Sequence, residues 1–371
     1  MGFEPGNIRI YSLYDKDIDC DLKYISKESY KAFNNKRIRF GLLSVLRGIR
    51  VDIIVLSNVN LSIIALLVKL LSPKTRIIVY AHGTEVWEKM HWWKSGFLRR
   101  HCEIWAVSEF TAKKMLDLKS ADPEKMTIIP NCLDPFQEIP SAFHKPGNLL
   151  ERYNLTADQP VLLTLSRISS GAHYKGYDMI IKSLPELIKT YSNIRFLLAG
   201  RAGGRENQRL QELSNRLGVA DHVIFTGFID DDELSNHFRL ADIFIMPSHK
   251  EGFGIVFIEA AACGCKVIGG NQDGSTQALL GGRLGTLIHP GQIEMLIGAI
   301  HENLQRPRSE NSSRAIQELC MEHFSYQQYL ERIRGILRSK EQGTKSKEQE
   351  ARTKRAKSKE QGQKVENRIR S

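Results

Sequence analysis

Short apolar runs that alternate with helical segments constrain the fold of this chain most. In the first half the runs are NIRIYSLY, DIIVLS, RIIVYAHG, EIWAVS and MTIIPN. In the second half they are VLLTLS, IRFLLAG, HVIFTG, DIFIMPS and CKVIGG. Helical patterns separate them, among them residues 61–71, SEFTAKKMLDL with Ser108 as its N-cap, and YDMIIKSLPELIKTY. This alternation favours an α/β fold with parallel, doubly wound, Rossmann-like sheets.

A break in the alternation divides the chain. The segment FQEIPSAFHKPGN contains two prolines and a glycine, a composition typical of a linker between domains. We predict a first Rossmann-like domain over residues 1–140, a second over 146–325 and a closing helix over 326–338. The carboxyl ends of both sheets are expected to face a common cleft, because open parallel sheets bind ligands at that edge.

The last residues have a different composition. SKEQ recurs at positions 339, 346 and 358 within a segment rich in Lys, Glu, Gln and Arg. Such a segment has too few apolar side chains to offset the entropy lost on ordering, so we predict that 339–371 is a disordered, basic tail. An arm that binds RNA or lipid is the alternative interpretation.

Charge and cysteine content exclude several classes of protein. The net charge of +11 comes from residues 1–145 and 338–371, whereas 146–337 are nearly neutral, which argues against a nucleic-acid binder that uses its whole surface. The six cysteines form no CxxC pair, so we expect reduced thiols in a cytoplasmic protein. The chain does not open on a signal peptide, and the apolar run at 61–71 is about half of the ~20 residues that a membrane span needs.

Two cations follow the run VLLTLS in the second half. Arg167 ends this run, and Lys175 lies eight residues later, before the next helical pattern. A planar guanidinium and a point-charge ammonium together suit a diphosphate. Taken alone, the pair fits two exposed cations on a loop better.

The stretch KEGFGIVFIEA follows the run DIFIMPS and carries two glutamates. Gly252 and Gly254 allow backbone to approach a ligand, and a helix is predicted to begin near Gly254 with N–H groups free to bind an anion. Glu259 would lie in its second turn, where a carboxylate can accept hydrogen bonds from two ribose hydroxyls, and Glu251 would face a sugar. The alternative for this stretch is a helix cap with one solvated face.

The stretch EGFGIVFIEA resembles the E-x7-E signature of retaining GT-B glycosyltransferases, in the large family 4 that uses nucleotide-sugar donors. The motifs SR…KG, AHGTE, AVSEFT, IPNCLD and DGSTQALLGGRLG resemble landmarks of that family in the same order, over roughly residues 50–335. The resemblance implies a hexosyltransferase of polysaccharide or cell-envelope biosynthesis. It would move a sugar from a nucleotide diphosphate to a glycan or lipid-linked acceptor with retention of configuration.

The same resemblance implies roles for individual residues. Arg167 and Lys175 would hold the diphosphate, and Glu259 would bind the ribose. Glu251 and His82 would contact the transferred sugar, and Asn131 would lie at the hinge. The implied catalytic residues are His82, Arg167, Lys175 and Glu251, and the implied donor-binding residues are Arg167, Lys175, Gly252, Phe253, Gly254, Ile255 and Glu259.

No metal or other cofactor is predicted. The sequence IDDDEL at 229–234 matches the Asp-x-Asp pattern by which many glycosyltransferases hold a metal. However, it opens a helix after a strand, where Asp residues act as caps. The expected partners are a nucleotide-sugar donor and a glycosyl acceptor, with no specific nucleic acid.

An aromatic–basic patch is predicted in the first domain. Its members are Trp87, Trp92, Trp93, Lys94, Arg99 and Arg100. The interpretations are the lip of an acceptor site, peripheral contact with the inner face of a membrane, and ordinary packing.

The start of the sequence departs from the family pattern. Members usually begin with an apolar strand and a glycine-rich loop, whereas IRIYSLY followed by DKDIDCD resembles the family's second strand. The first domain is therefore expected to lack one strand–loop–helix unit. A truncated, catalytically impaired nucleotide-sugar-binding protein is the alternative function.

Overall fold

The computed structural model describes residues 7–201 and 203–338. By its contacts the chain divides into two units. The first comprises Met1–Ile128, Ser248–Gly254 and Gly270–Gly281, and the second comprises Ile129–Pro247, Ile255–Gly269 and Gly282–Ser371. The predicted disordered tail lies outside the described residues, and the predicted domain boundaries near 140–146 stay a prediction.

The first unit contains two sheets. A parallel pair joins β1 (Ile10–Ser12) to β2 (Tyr30–Ala32). A second parallel sheet has the strand order β3 (Ile53–Leu56), β4 (Arg76–Ala81), β5 (Glu103–Ala106) and β6 (Met126–Ile128). The helices of this half are α1 (Arg37–Gly48), α2 (Ser62–Leu71), α3 (Trp92–His101) and α4 (Glu109–Asp117).

Alternate side chains of the central strands form the core of the first unit. Ile77 and Val79 of β4 pack with Ile104 of β5, and Leu98 of α3 and Met115 of α4 belong to the same cluster. All five are at most 1% exposed. Each fully buried side chain of this size contributes roughly 1.5–3 kcal/mol, so this cluster fixes the sheet whose carboxyl edge carries His82.

The second unit contains one six-stranded sheet with the order β12-β11-β10-β7-β8-β9. Its strands are β7 (Val161–Leu165), β8 (Arg195–Ala199), β9 (Val223–Gly227), β10 (Ile243–Met246), β11 (Lys266–Gly270) and β12 (Thr286–Ile288). The neighbouring strands pair in parallel from β11 through β10, β7 and β8 to β9. The strand order reverses between β7 and β10, which confirms the predicted doubly wound topology here, whereas β3 to β6 follow chain order.

The second unit contains helices before, between and after the strands of its sheet. They are α5 (Gly147–Arg152), α6 (Tyr177–Thr190), α7 (Gly204–Arg216), α8 (Leu234–Leu240), α9 (Ile255–Ala262), α11 (Ile293–Gln305) and α12 (Glu310–Phe324), while α10 (Ser275–Ala278) belongs to the first unit. Residues 326–338 are also helical. Among the described residues, no helix combines the length and apolar character needed to cross a bilayer.

The predicted elements agree closely with those observed. Every predicted strand is present, and Ser108 is the N-cap of α4, where its hydroxyl accepts a hydrogen bond from the N–H of Thr111. Two strands were missed, β2 and β12. Each has three residues, too few to establish a period-2 pattern.

Candidate functional site

The reversal point of the second sheet places the main candidate residues of that unit. β7 and β10 are neighbours, with Leu162 opposite Ile243 and Leu163 opposite Phe244. The loop after β7 carries Arg167 and Lys175, and the helix that follows β10, α9, carries Glu259. Doubly wound sheets bind ligands outside the carboxyl ends of the two strands where the order reverses.

The loop after β7 is held against the end of β10. Lys175 ends a single helical turn, His173–Lys175, and Gly176 after it has a left-handed backbone with φ +82°. A Cβ atom at Gly176 would lie 2.6 Å from Pro247 Cγ and 2.8 Å from the Pro247 oxygen. Glycine is therefore required both for the turn and for this approach. Lys175 is half-buried, and Arg167 is exposed.

Helix α9 begins at Ile255 and places Glu259 in its second turn, as the sequence predicts. Glu259 is half-buried between the buried residues Ile258 and Ala260. Burial of the carboxyl, with smaller contributions from the charges of Asp231 and Asp134, raises the pKa of Glu259 to about 7. The carboxyl is thus close to half-protonated at neutral pH, and groups that donate hydrogen bonds would favour its ionised form.

In the first unit, Asp273 organises the loop that carries Glu251. The Glu251 N–H donates to Asp273 Oδ2 at 2.6 Å, and the Ser248 hydroxyl donates to the same oxygen at 3.1 Å. The other oxygen accepts from the Ser275 N–H at 2.9 Å, and the Gly274 N–H donates to the Glu251 carbonyl at 2.9 Å. Burial raises the pKa of Asp273, although these hydrogen bonds act in the opposite direction.

The Gly-Phe-Gly loop lies directly against the backbone after β4. A Cβ atom at Gly252 would lie 1.7 Å from the carbonyl oxygen of His82, and one at Gly83 would lie 3.0 Å from the Gly252 Cα. The exposed ring of His82 stacks on Tyr80 with centroids 5.7 Å apart. The backbone N–H of His82 donates to Glu85 Oε1 at 2.6 Å. The structure therefore brings His82 and Gly252 together within the first unit.

The predicted residues thus fall into two groups, and their proposed roles stay predictions. His82, Glu251, Gly252, Phe253 and Gly254 lie in the first unit, and Arg167, Lys175, Ile255 and Glu259 lie in the second. Phe253 is 2% exposed, so its side chain is a packing group. Asn131 is the third residue of the second unit, which begins at Ile129.

Sequence reasoning missed the role of Asp273 and of the glycines around it. A Cβ atom at Gly274 would lie 2.0 Å from the carbonyl oxygen of Gly252. In addition, Gln277 Oε1 accepts a hydrogen bond of 2.7 Å from the N–H of Glu109 at the start of α4. The signal was the motif DGSTQALL, which was assigned no specific role because an Asp-Gly pair also fits an ordinary turn.

Two acidic groups of the second unit bear on metal binding. Asp230 is at the N-cap position of the turn Asp231–Glu233, as predicted, but its side chain accepts no capping hydrogen bond. His173, Asp178 and Glu206 offer ligand atoms within 4.8 Å of one another. Arg209 already donates hydrogen bonds to the carboxylates of Asp178 and Glu206.

The predicted aromatic–basic patch is only partly a surface feature. Trp92 is 79% exposed, and Trp93 is half-buried. Trp87 instead packs on Phe110 with ring centroids 5.1 Å apart, and its indole N–H donates to Thr111 Oγ1 at 3.3 Å. Packing is therefore the correct interpretation for Trp87.

Comparison with protein families finds two matches. The model of Glycosyl transferases group 1 matches residues 148–319. The model of Glycosyltransferase Family 4 matches residues 25–136. Together the two models match most of the chain.

Curated relatives match a smaller part of the chain. A GDP-mannose-dependent alpha-(1-6)-phosphatidylinositol monomannoside mannosyltransferase of Mycolicibacterium smegmatis is 37% identical over 44% of this chain and 43% of its own length. A D-inositol 3-phosphate glycosyltransferase of Acidothermus cellulolyticus is 31% identical over 51% of this chain and 42% of its own length. The matched region thus spans less than half of each of these relatives.

Solved structures share the fold over most of the chain. HepE of Anabaena in complex with UDP has a TM-score of 0.71 at 19% identity, covering 84% of this chain and 87% of that chain. A glycosyltransferase from Rickettsia africae has a TM-score of 0.69 at 20% identity, covering 85% of this chain and 86% of that chain.

Proposed function

The chain belongs to the glycosyltransferase family that these two models describe, and we propose that it is a hexosyltransferase. The donor is a nucleotide-diphosphate sugar, and the acceptor is a glycan or a lipid-linked molecule of polysaccharide or cell-envelope biosynthesis. The configuration of the transferred sugar is retained. The mannosyltransferase relative is named as GDP-mannose-dependent, which supports a nucleotide-sugar donor for this chain.

One observation carries this proposal. Arg167 and Lys175 follow β7, Glu259 lies on the helix after β10, and these neighbouring strands are where the order of the second sheet reverses. Two cations suit the diphosphate, and a carboxylate suits the ribose diol. These residue types at one edge of the sheet therefore suit the diphosphate and the ribose of a nucleotide sugar.

These groups also fit the chemistry of glycosyl transfer. Breaking the bond between sugar and phosphate develops negative charge on the leaving diphosphate. Arg167 and Lys175 stabilise that charge, and the free N–H groups at the start of α9 stabilise it further. For the first unit, the proposal gives Glu251 and His82 the role of contacting a sugar, and it gives Gly252, Phe253 and Gly254 the role of supplying backbone N–H groups.

We propose that the reaction needs no metal ion, because the fixed cations supply the charge that a metal would otherwise provide. The Asp pair at Asp230 and Asp232 follows β9 and opens a helical turn, a position that suits structural acids. The relatives, which are named as active glycosyltransferases, do not favour the alternative of a truncated, catalytically impaired binder.

Calorimetric titration with uridine and guanosine diphosphate sugars tests the donor site. The Glu259→Ala variant is expected to lose measurable affinity for the nucleotide sugar that the wild type binds. Glu302→Ala is the matched control, since Glu302 is an exposed acid on α11. Unchanged affinity of the Glu259 variant would reject the proposed ribose contact, and no binding of any nucleotide sugar by the wild type would reject the function.

We also propose peripheral contact with an anionic membrane through an apolar surface on α1, α2 and α3. Packed neighbours α1 and α2 expose apolar side chains, and α2 packs against α3, whose first residue is the exposed Trp92. The members of this apolar surface are Ile38, Leu42, Leu46, Ile63, Leu67, Leu70, Leu71 and Trp92, each at least 44% exposed. A cavity of about 250 Å³ beside Trp92 is lined by Trp93, Phe97 and Arg100.

Basic residues on the same helices give this surface the composition of a bilayer contact. Arg47 lies in the last turn of α1, Lys69 in that of α2, and Arg99 and Arg100 in that of α3. Apolar side chains flanked by cations suit an interface with anionic lipid headgroups. The wild-type protein is expected to cosediment with phosphatidylglycerol vesicles. The double variant Leu70→Ser, Trp92→Ser should cosediment less, and the control Met295→Ser, on α11, should cosediment as the wild type does. Equal binding by all three proteins would reject the contact.

A further inference from the structure

An ion-pair cluster lies beside the loop that carries Arg167 and Lys175. The guanidinium of Arg209, on α7, donates to both oxygens of Asp178 at 2.7 Å each. It also donates to both oxygens of Glu206, at 2.7 and 3.1 Å. A planar guanidinium that grips two carboxylates loses most of its rotational freedom, so the cluster is a rigid element.

The carboxylates of this cluster remain charged although they are withdrawn from water. Glu206 is 6% exposed, and the side chain of Asp178 is 20% exposed. Hydrogen bonds from Arg209 hold the pKa of Glu206 below its usual value. Burial alone would raise the pKa of Asp178, but the hydrogen bonds and charge of Arg209 outweigh it and lower that pKa. Removing Arg209 would leave two like charges facing each other without the guanidinium that binds both of them.

Hydrogen bonds connect the cluster to the loop after β7. The hydroxyl of Tyr177 lies 3.2 Å from Glu206 Oε1 and 3.0 Å from the carbonyl oxygen of Ser169, so its single proton is shared between these two acceptors. The same carbonyl accepts from the N–H of Ala172 at 2.8 Å, which fixes the middle of the loop. The ring of Tyr177 is fully buried, so the hydroxyl cannot exchange this partner for solvent.

A second connection reaches the turn that ends at Lys175. His173, the first residue of that turn, places Nδ1 3.7 Å from Asp178 Oδ1 and 3.4 Å from the Arg209 Nη2. The Lys175 N–H donates to the Ala172 carbonyl at 2.9 Å, so the turn moves as one piece. The cluster therefore contacts the loop both near Arg167 and near Lys175.

We propose that Arg209 is a positioning residue for the two donor-site cations. Through Glu206 and Asp178 it fixes the loop so that Arg167 and Lys175 meet the diphosphate as negative charge develops there. This inference rests on the proposed function, since it assigns a purpose to cations that hold a donor. Arg209 itself touches neither sugar nor phosphate.

Loss of this clamp should affect the transition state more than the bound donor, because the loop cations answer charge that develops during bond breaking. A misplacement of the order of 1 Å can lower a rate about 10²-fold. We therefore expect Arg209→Gln to lower kcat about 10²-fold with a smaller change in KM. Arg209→Lys keeps the charge but not the planar fork, and should lie between the wild type and the Gln variant.

The matched control is a bidentate ion pair within the first unit. Arg76, at the start of β4, donates to both oxygens of Glu103 at 3.0 and 3.2 Å, with side chains 30% and 20% exposed. Arg76→Gln removes a similar pair without touching the loop. Calorimetric stoichiometry with the nucleotide sugar corrects kcat in every variant for the fraction of folded protein.

Hydrogen exchange of the full chain without ligand provides a second readout that does not depend on activity. Faster exchange of peptides covering 167–176 is expected in Arg209→Gln and not in Arg76→Gln. Equal exchange of these peptides in both variants, or an equal loss of kcat, would overturn the positioning role. If the wild type binds no nucleotide sugar, the proposed function fails, and unchanged exchange at 167–176 would additionally reject the clamp.

Discussion

The raised pKa of Glu259 makes donor binding dependent on pH. Burial shifts the pKa of this carboxyl from 4.5 to about 7. Ribose hydroxyls donate hydrogen bonds and therefore bind the ionised carboxylate more strongly than the protonated carboxyl. Between pH 6 and pH 8 the ionised fraction rises from about one-tenth to about nine-tenths, so the association constant should rise about tenfold.

Calorimetry with a nucleotide sugar measures this dependence. Its diphosphate is esterified at both ends and does not titrate in this range, so the ligand adds no slope of its own. Glu259→Gln should bind more weakly and with an affinity that does not change from pH 6 to pH 8. An affinity that is flat in the wild type, or a slope that persists in the Gln variant, would refute the reasoning.

The same shift predicts the pH dependence of stability without ligand. Because the folded carboxyl binds its proton more tightly than the unfolded one, the contribution is fully present below pH 4.5 and is lost as the pH rises to about 7. The loss is about 3 kcal/mol, since one pKa unit corresponds to about 1.4 kcal/mol. Denaturant titration of Glu259→Gln should lack this component, and an identical pH profile in both proteins would contradict it.

Three further predictions follow from packing, hydrogen bonding and charge. Gly252→Ala should lower the free energy of unfolding by about 1–3 kcal/mol in denaturant titration, because the new methyl would meet the His82 carbonyl oxygen. The control Gly298→Ala, in α11, should not destabilise the protein, because the space around Gly298 is open. Asp273→Ala should lower the free energy of unfolding by about 2 kcal/mol or more, because several donors lose their shared acceptor. The same change should speed hydrogen exchange at the backbone N–H of Glu251. Treatment with EDTA should leave the transfer rate unchanged, and loss of transfer that Mg²⁺ or Mn²⁺ restores would contradict the absence of a metal.

Local sequence patterns predicted the second sheet well because its strands are buried on both faces and read as continuous apolar runs. The helix start at Ile255 and the place of Glu259 followed from two glycines before an apolar segment. The roles of Asp273 and Arg209 could not be predicted in this way. Asp273 and Arg209 have local partners in Ser275 and Glu206, but their hydrogen bonds also reach Glu251 and Asp178, which lie more than 20 residues away along the chain. A turn aspartate or a helix-surface arginine carries no local sign of such distant partners.

The aromatic–basic patch illustrates the same limit. Trp87 and Trp92 are five residues apart in similar surroundings, yet Trp87 packs on Phe110 and Trp92 lies in solvent. The exposure of each tryptophan depends on which element packs against it, and the residues next to it in the sequence do not reveal that element. The apolar surface on α1, α2 and α3 was likewise missed, because an apolar helical run carries no local sign of which of its side chains another element covers.

A crystal structure with a bound nucleotide sugar tests the central claim most directly. The account predicts ribose hydroxyls within hydrogen-bond distance of the Glu259 carboxylate and a diphosphate in contact with Arg167 and Lys175. A nucleotide bound elsewhere, or one whose ribose lies away from Glu259, would contradict it.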